Sequence, residues 1–380
     1  MRARFIAPWK DSTERPAIYH CVSRVVDRRF AFGKEDKEQL RTYMRMYENF
    51  SGCRVLSYCF MSNHIHLLLE VPPLAAGGLS DGELLRRLRC IYNEAAVAVV
   101  AKELAEVRQK VKGGLADESL ARELHERYSY RMHDLSEYMK GFMQRFTQWY
   151  NRKHGRRGGL WEDAFKSVLV EDGMASRTMA AYIDLNPVRA GMVRDPGEYR
   201  WSSYGEAMGG GPRGNGKKAR AGLVRAIKAH KGYEADARHW AGDVSREYRM
   251  LLLAEGAEKL QEVVSGEGEV AVAVKVIKKG MRKAMVEAEL AQLEQLEQLE
   301  QLEQLEQGRD VALGKMLRLR VRYFSDGAVL GSREFVDGVF RACRDRFGGA
   351  RQSGARKLRG AAAAAAGRLW SARDLRKGIE

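Results

Sequence analysis

The chain has 380 residues, of which 45% are hydrophobic, and its 66 Lys and Arg against 50 Asp and Glu give a formal net charge of +16. This length allows two or three domains with ordinary cores, and the positive charge favours a polyanionic partner, most commonly nucleic acid. The five cysteines form no Cys-x-x-Cys pair and no apolar run reaches membrane-spanning length, which excludes a zinc module, a disulfide scaffold and a membrane span and favours a cytoplasmic protein.

The first predicted element is a strand over residues 17–25, a run rich in β-branched and aromatic residues. Arg24, Arg28 and Arg29 come at its end, where a basic loop would either hold phosphates or form a solvated charge cluster. An apolar stripe at helical spacing then predicts a helix over residues 35–50.

Two histidines lie on one of the strands that follow. Residues 55–60 and 61–71 read as neighbouring strands, and Pro72 ends the second because proline cannot donate to a ladder. Side chains alternate across a strand, so His64 and His66 share a face, roughly 7 Å apart along the strand, and could bind one metal ion. From this motif alone, two hydrogen-bonded histidines on a solvated face are an equal alternative.

A charged segment rich in Ala and Leu follows over residues 80–131 and predicts a helical insertion. The next helix, Leu135 to Tyr150, is strongly amphipathic and ends in a cationic loop punctuated by glycine. We expect this loop to contact a nucleic-acid backbone, in preference to a purely solvated role. Its candidate DNA-binding residues are Arg152, Lys153, Arg156 and Arg157.

A second candidate element is a helix that follows the strand predicted over residues 165–171 and ends at Pro187. Tyr182 and Asn186 are four residues apart, so the phenol and the amide lie on one face of its last turn. A metal held by two imidazoles and an amide oxygen keeps positions open for a phosphate oxygen, and a tyrosine beside it could attack phosphorus.

Tyr150 and His154 have the same spacing and compete with this pair for the metal site. Tyr150 belongs to the apolar stripe of its helix, and His154 falls where the helix should fray at Gly155, so we prefer Tyr182.

These motifs, in this order, resemble the single-tyrosine HUH transposases, in particular the REP-associated branch of the IS200-like transposases. The resemblance covers roughly residues 15–205 and rests on the His-hydrophobic-His strand and on the segments 159–167, 182–191 and 199–203. One residue departs from the family pattern, because Ala164 stands where the family usually has an arginine.

The resemblance implies an α+β fold with a ferredoxin-like or RRM-like antiparallel sheet and helices, followed here by a mostly helical C-terminal region. It also implies metal-dependent cleavage and joining of single-stranded DNA and recognition of hairpins. Carried over by position, it makes His64 and His66 metal ligands, Asn186 a third ligand and Tyr182 the nucleophile.

The predicted organisation has a catalytic domain followed by a basic, glycine-rich linker and a helical C-terminal region. Within that region a Leu-Glu-Gln repeat drifts around any helix and reads as a spacer, and two helices around a glycine turn suggest a helix-turn-helix, with Arg333 exposed at the start of its second helix. The predicted boundaries are 1–205 for the domain, 206–235 for the linker, 236–380 for the C-terminal region, 290–307 for the spacer and 315–347 for the helix-turn-helix.

We therefore expect a single-strand DNA endonuclease and strand transferase that uses Mg²⁺ or Mn²⁺, forms a 5′-phosphotyrosine with Tyr182 and contacts hairpin DNA also through Lys166 and Arg189. It would act in the cytoplasm at the nucleoid, as a monomer or homodimer. The alternatives are a domesticated hairpin-binding protein that does not cut and a replication-type or relaxase-type nicking enzyme. A fused helicase would support the latter, and the chain has no Walker A sequence.

Overall fold

The computed structural model describes residues 4–73, 77–209, 216–228, 237–240, 243–253, 259–261, 274–276, 317, 322–357 and 369–372. The fold is α+β, as predicted. The strands are β1 (Ala17–Arg24), β2 (Arg54–Phe60), β3 (His64–Val71), β4 (Lys166–Val170), β5 (Lys259–Gln261), β6 (Val274–Val276), β7 (Val329–Gly331), β8 (Arg356–Lys357) and β9 (Trp370–Ala372).

The α-helices are α1 (Lys34–Ser51), α2 (Asp81–Leu88), α3 (Glu94–Lys112), α4 (Glu118–Ser129), α5 (Leu135–Lys153), α6 (Met174–Asp184), α7 (Asn186–Arg189), α8 (Ser203–Met208), α9 (Lys217–Lys228), α10 (Asp243–Leu253), α11 (Arg322–Asp326) and α12 (Arg333–Ala342). Short 3-10 helices occupy Val26–Arg28, Pro196–Glu198, Ala237–Trp240 and Arg344–Arg346.

The centre of the main sheet has the strand order β2-β3-β1-β4, and all its neighbours are antiparallel. The chain forms it in the order β1-α1-β2-β3-α5-β4, which is the ferredoxin-like arrangement. Alternation along β3 divides the core, since Leu67 and Leu69 pack with α1 and α5 whereas Leu68 packs with α6, α9 and α10. The histidines share the face of Leu68.

The predicted helical insertion consists of α2, α3 and α4, which lie between β3 and α5 in the chain. Their apolar residues form a small core of their own, in which Leu84, Leu88 and Leu104 pack with Phe50 of α1. This group is therefore attached to the α1 side of the sheet, away from the histidine face.

The predicted linker over 206–235 is wrong for residues 217–228, which form α9. This helix packs so closely on β2 that a Cβ on Gly222 would lie 2.3 Å from the Val55 carbonyl oxygen. The small residues that suggested flexibility instead allow two backbones to approach each other. Residues 210–215 and 229–236 lie outside the described residues.

The C-terminal region adds β7, β9 and β8, in that order, to the edge of the main sheet beyond β4. Strand β7 runs parallel to β4 and pairs Val329 with Leu169 and Leu330 with Val170. The predicted domain boundary at residue 205 is therefore wrong, because backbone hydrogen bonds continue the sheet into residues 329–372.

The predicted helix-turn-helix over 315–347 is also wrong, because β7 separates α11 from α12. Gly331 does not form the turn, since it is the last residue of β7 and pairs with Trp370 of β9. A Cβ at Gly331 would lie 2.7 Å from Glu171 and from Phe335, so glycine is needed here for packing. Ser332 does cap α12, as its side chain accepts from the Phe335 amide at 3.2 Å. The predicted spacer over 290–307 lies outside the described residues.

Among the described residues, no helix is long and apolar enough to cross a membrane. All five cysteines are free thiols, and only Cys90 is not buried.

Candidate active site

The two predicted histidine ligands lie together at the start of β3. The rings of His64 and His66 have centroids 5.0 Å apart and planes at 78°. His66 is buried, whereas His64 is half-buried. Arg24, at the end of β1, pairs with His64 across the sheet and shares its face.

A third histidine, which sequence analysis missed, lies behind this pair. His20 on β1 is fully buried, with its Nε2 2.9 Å from His66 Nδ1 and its Nδ1 2.6 Å from the Phe324 carbonyl oxygen. A carbonyl can only accept, so His20 Nδ1 must carry hydrogen. If His20 is neutral, its Nε2 accepts from His66 Nδ1–H, and the lone pair of His66 Nε2 is left for a ligand.

Burial keeps these two imidazoles neutral. It lowers the pKa of His20 to about 4 and, with the nearby charge of His64, lowers the pKa of His66 well below 6.5. Neutral imidazole is the form that binds metal ions. The only sequence signal for His20 was its position four residues before Arg24, which puts both on one face of β1.

Tyr182 lies on α6 above the same face and is 3% exposed. Its ring centroid is 6.3 Å from that of His20 and 5.0 Å from that of Phe324. The guanidinium of Arg189 lies 3.9 Å from the centre of the phenol ring and donates to the Tyr182 carbonyl at 2.6 Å and the Leu317 carbonyl at 2.7 Å. A fixed positive charge therefore lies against the face of this tyrosine.

Asn186 follows Tyr182 by one turn, at the start of α7, and is 9% exposed. Its side-chain nitrogen donates to the Ile183 carbonyl at 3.0 Å. This bond fixes the orientation of the amide and leaves the side-chain oxygen as the atom that can bind a ligand.

The competing pair, Tyr150 and His154, lies across the sheet from His64 and His66. Tyr150 is part of the core under α5, and its hydroxyl donates to the Ala31 carbonyl at 3.0 Å. The rings of Tyr150 and His154 are 4.1 Å apart and pack on each other. The sheet therefore separates this pair from the two histidines.

Three of the predicted DNA-binding residues lie on the histidine face. They are Arg24, Lys166 and Arg189, and Lys166 forms an ion pair with Asp326 at 2.9 Å. Positive charge therefore surrounds the candidate site, and α11 contacts part of it.

The remaining predicted basic residues lie in three places. Arg28, Arg29, Arg156 and Arg157 lie on two neighbouring loops at the end of β1. At the end of α5, Arg152 is exposed and Lys153 pairs with Glu35 at 2.8 Å. Arg333 lies over the Trp370 ring at 5.4 Å, on the C-terminal part of the sheet. The structure does not gather all ten into one surface.

The predicted metal ligands fit a divalent ion by their chemistry. In the part of the chain that is described, no group of three or more His, Cys, Asp or Glu side chains is arranged to hold a metal. The predicted set is different, because it combines two imidazoles with the oxygen of an amide. Such mixed nitrogen and oxygen donors suit Mn²⁺ and, less well, Mg²⁺.

A ferredoxin-like sheet with paired histidines on one strand and a tyrosine helix against the same face is the arrangement expected of an HUH-type protein. Residues 15–76, which contain all three histidines, match the family model described as "Transposase IS200 like". This match bears out the predicted resemblance over these residues.

Comparison with curated proteins found no match. A solved structure described as "Structure of the REP associates tyrosine transposase bound to a REP hairpin" is similar to this chain at 13% sequence identity and a TM-score of 0.32. The similarity covers 64% of this chain and 92% of the other.

Proposed function

We propose that the protein is a single-strand DNA endonuclease and strand transferase of the REP-associated tyrosine transposase type, acting on hairpin-forming DNA. The observation that carries this proposal is the convergence of His64, His66 and Tyr182 on one face of the sheet. His20 links them, since it bonds to His66 and its ring lies 6.3 Å from that of Tyr182. The family match of residues 15–76 supports it.

A divalent ion, Mg²⁺ or Mn²⁺, would be held by His64, His66 and Asn186. When bound, it would supply positive charge to a non-bridging oxygen of the scissile phosphate. The bond to His20 fixes the ring of His66 and leaves Nε2 as the nitrogen that would bind the ion, and the Asn186 amide is held by its bond to the helix backbone.

Tyr182 is the proposed nucleophile. Its phenol oxygen forms a bond to phosphorus, the bond from phosphorus to the 3′ oxygen breaks, and the phenol proton passes through solvent to that oxygen. The products are a 5′-phosphotyrosyl protein and a free 3′-OH. Because the new ester keeps the free energy of the phosphodiester, a second 3′-OH can reverse the step and join strands without ATP. Arg189, beside the phenol, is placed to balance the negative charge of the reacting phosphate.

The test is a denaturing gel with Mn²⁺ and a hairpin DNA from the protein's own genomic flanks, labelled at its 3′ end. That label stays with the fragment that becomes joined to the protein. We expect an SDS-resistant adduct in the wild type and in Tyr150→Phe, and none in Tyr182→Phe. The reverse result for the two variants would assign catalysis to α5.

The second candidate function is a domesticated protein that binds hairpin DNA without cutting it. The low exposure of Tyr182 favours it, since Phe324 and Arg189 cover the phenol ring. Absence of the adduct in the wild type, with hairpin binding intact, would support this function. A replication-type or relaxase-type nicking enzyme would share the chemistry and give the adduct on DNA without a hairpin.

A further inference from the structure

The loop between β1 and α1 presents an aromatic side chain to solvent beside the candidate active site. Phe30 is 84% exposed, more than any other aromatic residue in the described parts of the chain. A single exposed apolar residue is ordinary on a protein surface. The residues around Phe30 indicate a binding role for this side chain.

The backbone on both sides of Phe30 is held in place. The amides of Ala31 and Phe32 both donate to the Ser62 carbonyl, at 2.9 and 3.0 Å. Before Phe30, Asp27 and Arg28 have positive φ angles of 57° and 54°, a conformation that non-glycine residues adopt only where their surroundings hold it. The phenyl ring is therefore presented from a fixed loop.

One side chain connects this loop to a proposed metal ligand. Asn63 donates from its amide nitrogen to the Arg28 carbonyl at 2.9 Å, and its oxygen lies 2.7 Å from His64 Nδ1. The loop that carries Phe30 is thus tied, through Asn63, to the ring of His64. A strand bound at the histidines would pass close to this loop.

The charge around Phe30 fits a nucleic acid. Arg28 and Arg29, the two preceding residues, are exposed, and Arg28 lies 4.0 Å from the Glu162 carboxylate in a loose ion pair. The loop that carries Arg157 lies alongside, because the Val26 amide donates to the Leu160 carbonyl at 3.0 Å. An aromatic face among guanidinium groups matches single-stranded DNA, in which an unpaired base can stack while its phosphates pair with arginine.

We propose that Phe30, with Arg28 and Arg29, is a stacking site for an unpaired base of single-stranded DNA next to the active site. Inside a duplex both faces of each base are stacked on neighbouring pairs, so the site selects single-stranded DNA over paired DNA. This inference deepens the proposed function and rests on it for the position of the DNA strand at the histidines. Binding of a base at Phe30 does not itself require cleavage.

The test measures DNA binding by fluorescence anisotropy without metal, so that no cleavage occurs. The probes are a labelled hairpin with a single-stranded thymidine flank and the same hairpin without the flank. Stacking tolerates any base, so the natural target sequence is not needed. Phe30→Ala should weaken binding of the flanked hairpin by about 5- to 150-fold, the range for one lost base stack, and leave the blunt hairpin unchanged.

Two variants serve as controls. Leu115→Ala removes an equally exposed side chain, also 84% exposed, from the turn between α3 and α4 and should bind both probes like the wild type. Phe30→Trp should keep the affinity for the flanked hairpin, and its added indole emission should be quenched when the probe binds.

Equal affinity of Phe30→Ala and wild type for the flanked hairpin would overturn the proposal. Equal loss on both probes would do the same, because it would indicate a general effect on the surface. The proposed function fails separately, since a protein that binds the flank through Phe30 yet forms no adduct on Tyr182 would refute cleavage and keep the stacking site.

Discussion

Replacing His20 with phenylalanine would break the hydrogen-bond chain behind the candidate metal site. A phenyl ring is flat like the imidazole but larger, and the His66 ring lies edge-on to it, with centroids 5.1 Å apart and planes at 12°, so a non-polar edge would replace the hydrogen-bonded nitrogens. The His66 Nδ1 hydrogen and the Phe324 carbonyl would each lose a buried partner. Each unsatisfied group costs about 1–3 kcal/mol, so we expect the free energy of unfolding to fall by about 2–6 kcal/mol.

Urea denaturation at pH 7 measures this loss. His20→Gln is the matched variant, because its amide can accept from His66 and donate to the Phe324 carbonyl, and it should lose less stability. In the wild type, NMR of ¹⁵N-labelled histidine should show hydrogen on His66 Nδ1. A His20→Phe protein as stable as the wild type, or hydrogen on His66 Nε2, would refute the reasoning.

Three further predictions follow from the site and the fold. The pKa of His20 is about 4 in the folded chain and 6.5 in the unfolded chain, so the unfolded chain is protonated first as the pH falls. This difference adds about 3 kcal/mol to the free energy of unfolding above pH 6.5, and the gain is lost as the pH falls to 4. Urea titrations at pH 7 and 5 should therefore show a smaller loss of stability in His20→Gln than in the wild type. His64→Ala should abolish the Mn²⁺-dependent adduct and keep the affinity for DNA, and normal cleavage by this variant would show that His64 is not a metal ligand. Asn186→Ala should weaken Mn²⁺ binding about 10- to 100-fold in an EPR titration. A chain ending at residue 316 loses β7 to β9 and should show no cooperative thermal transition by circular dichroism, whereas a sharp transition would make those strands accessory.

The strands around the histidines could be predicted because each is a long apolar run with a clear end. β1 to β3 have seven or eight residues each, and His64 and His66 share a face by alternation alone. The strands β7, β8 and β9 have two or three residues, too few for any pattern. Their extended state comes from pairing in the sheet, which the local sequence does not encode.

The local sequence also could not predict the role of His20. Its partner, the Phe324 carbonyl, is 304 residues away in the chain, and a backbone carbonyl has no sequence signature. In the same way, the small residues of α9 indicate flexibility when read alone and close packing when β2 lies beneath them. Sequence could propose candidate side chains for the chemistry, but not the backbone groups that orient them.

The candidate site is assembled from more of the chain than the family segment contains. Residues 15–76 supply the strands and all three histidines. Tyr182 and Arg189 come from helices a hundred residues further on. Phe324 then touches both halves, because its ring packs on Tyr182 and its carbonyl holds His20. A change in the C-terminal region can therefore reach the proposed nucleophile and, through His20, a proposed metal ligand in one step, without any change within residues 15–76.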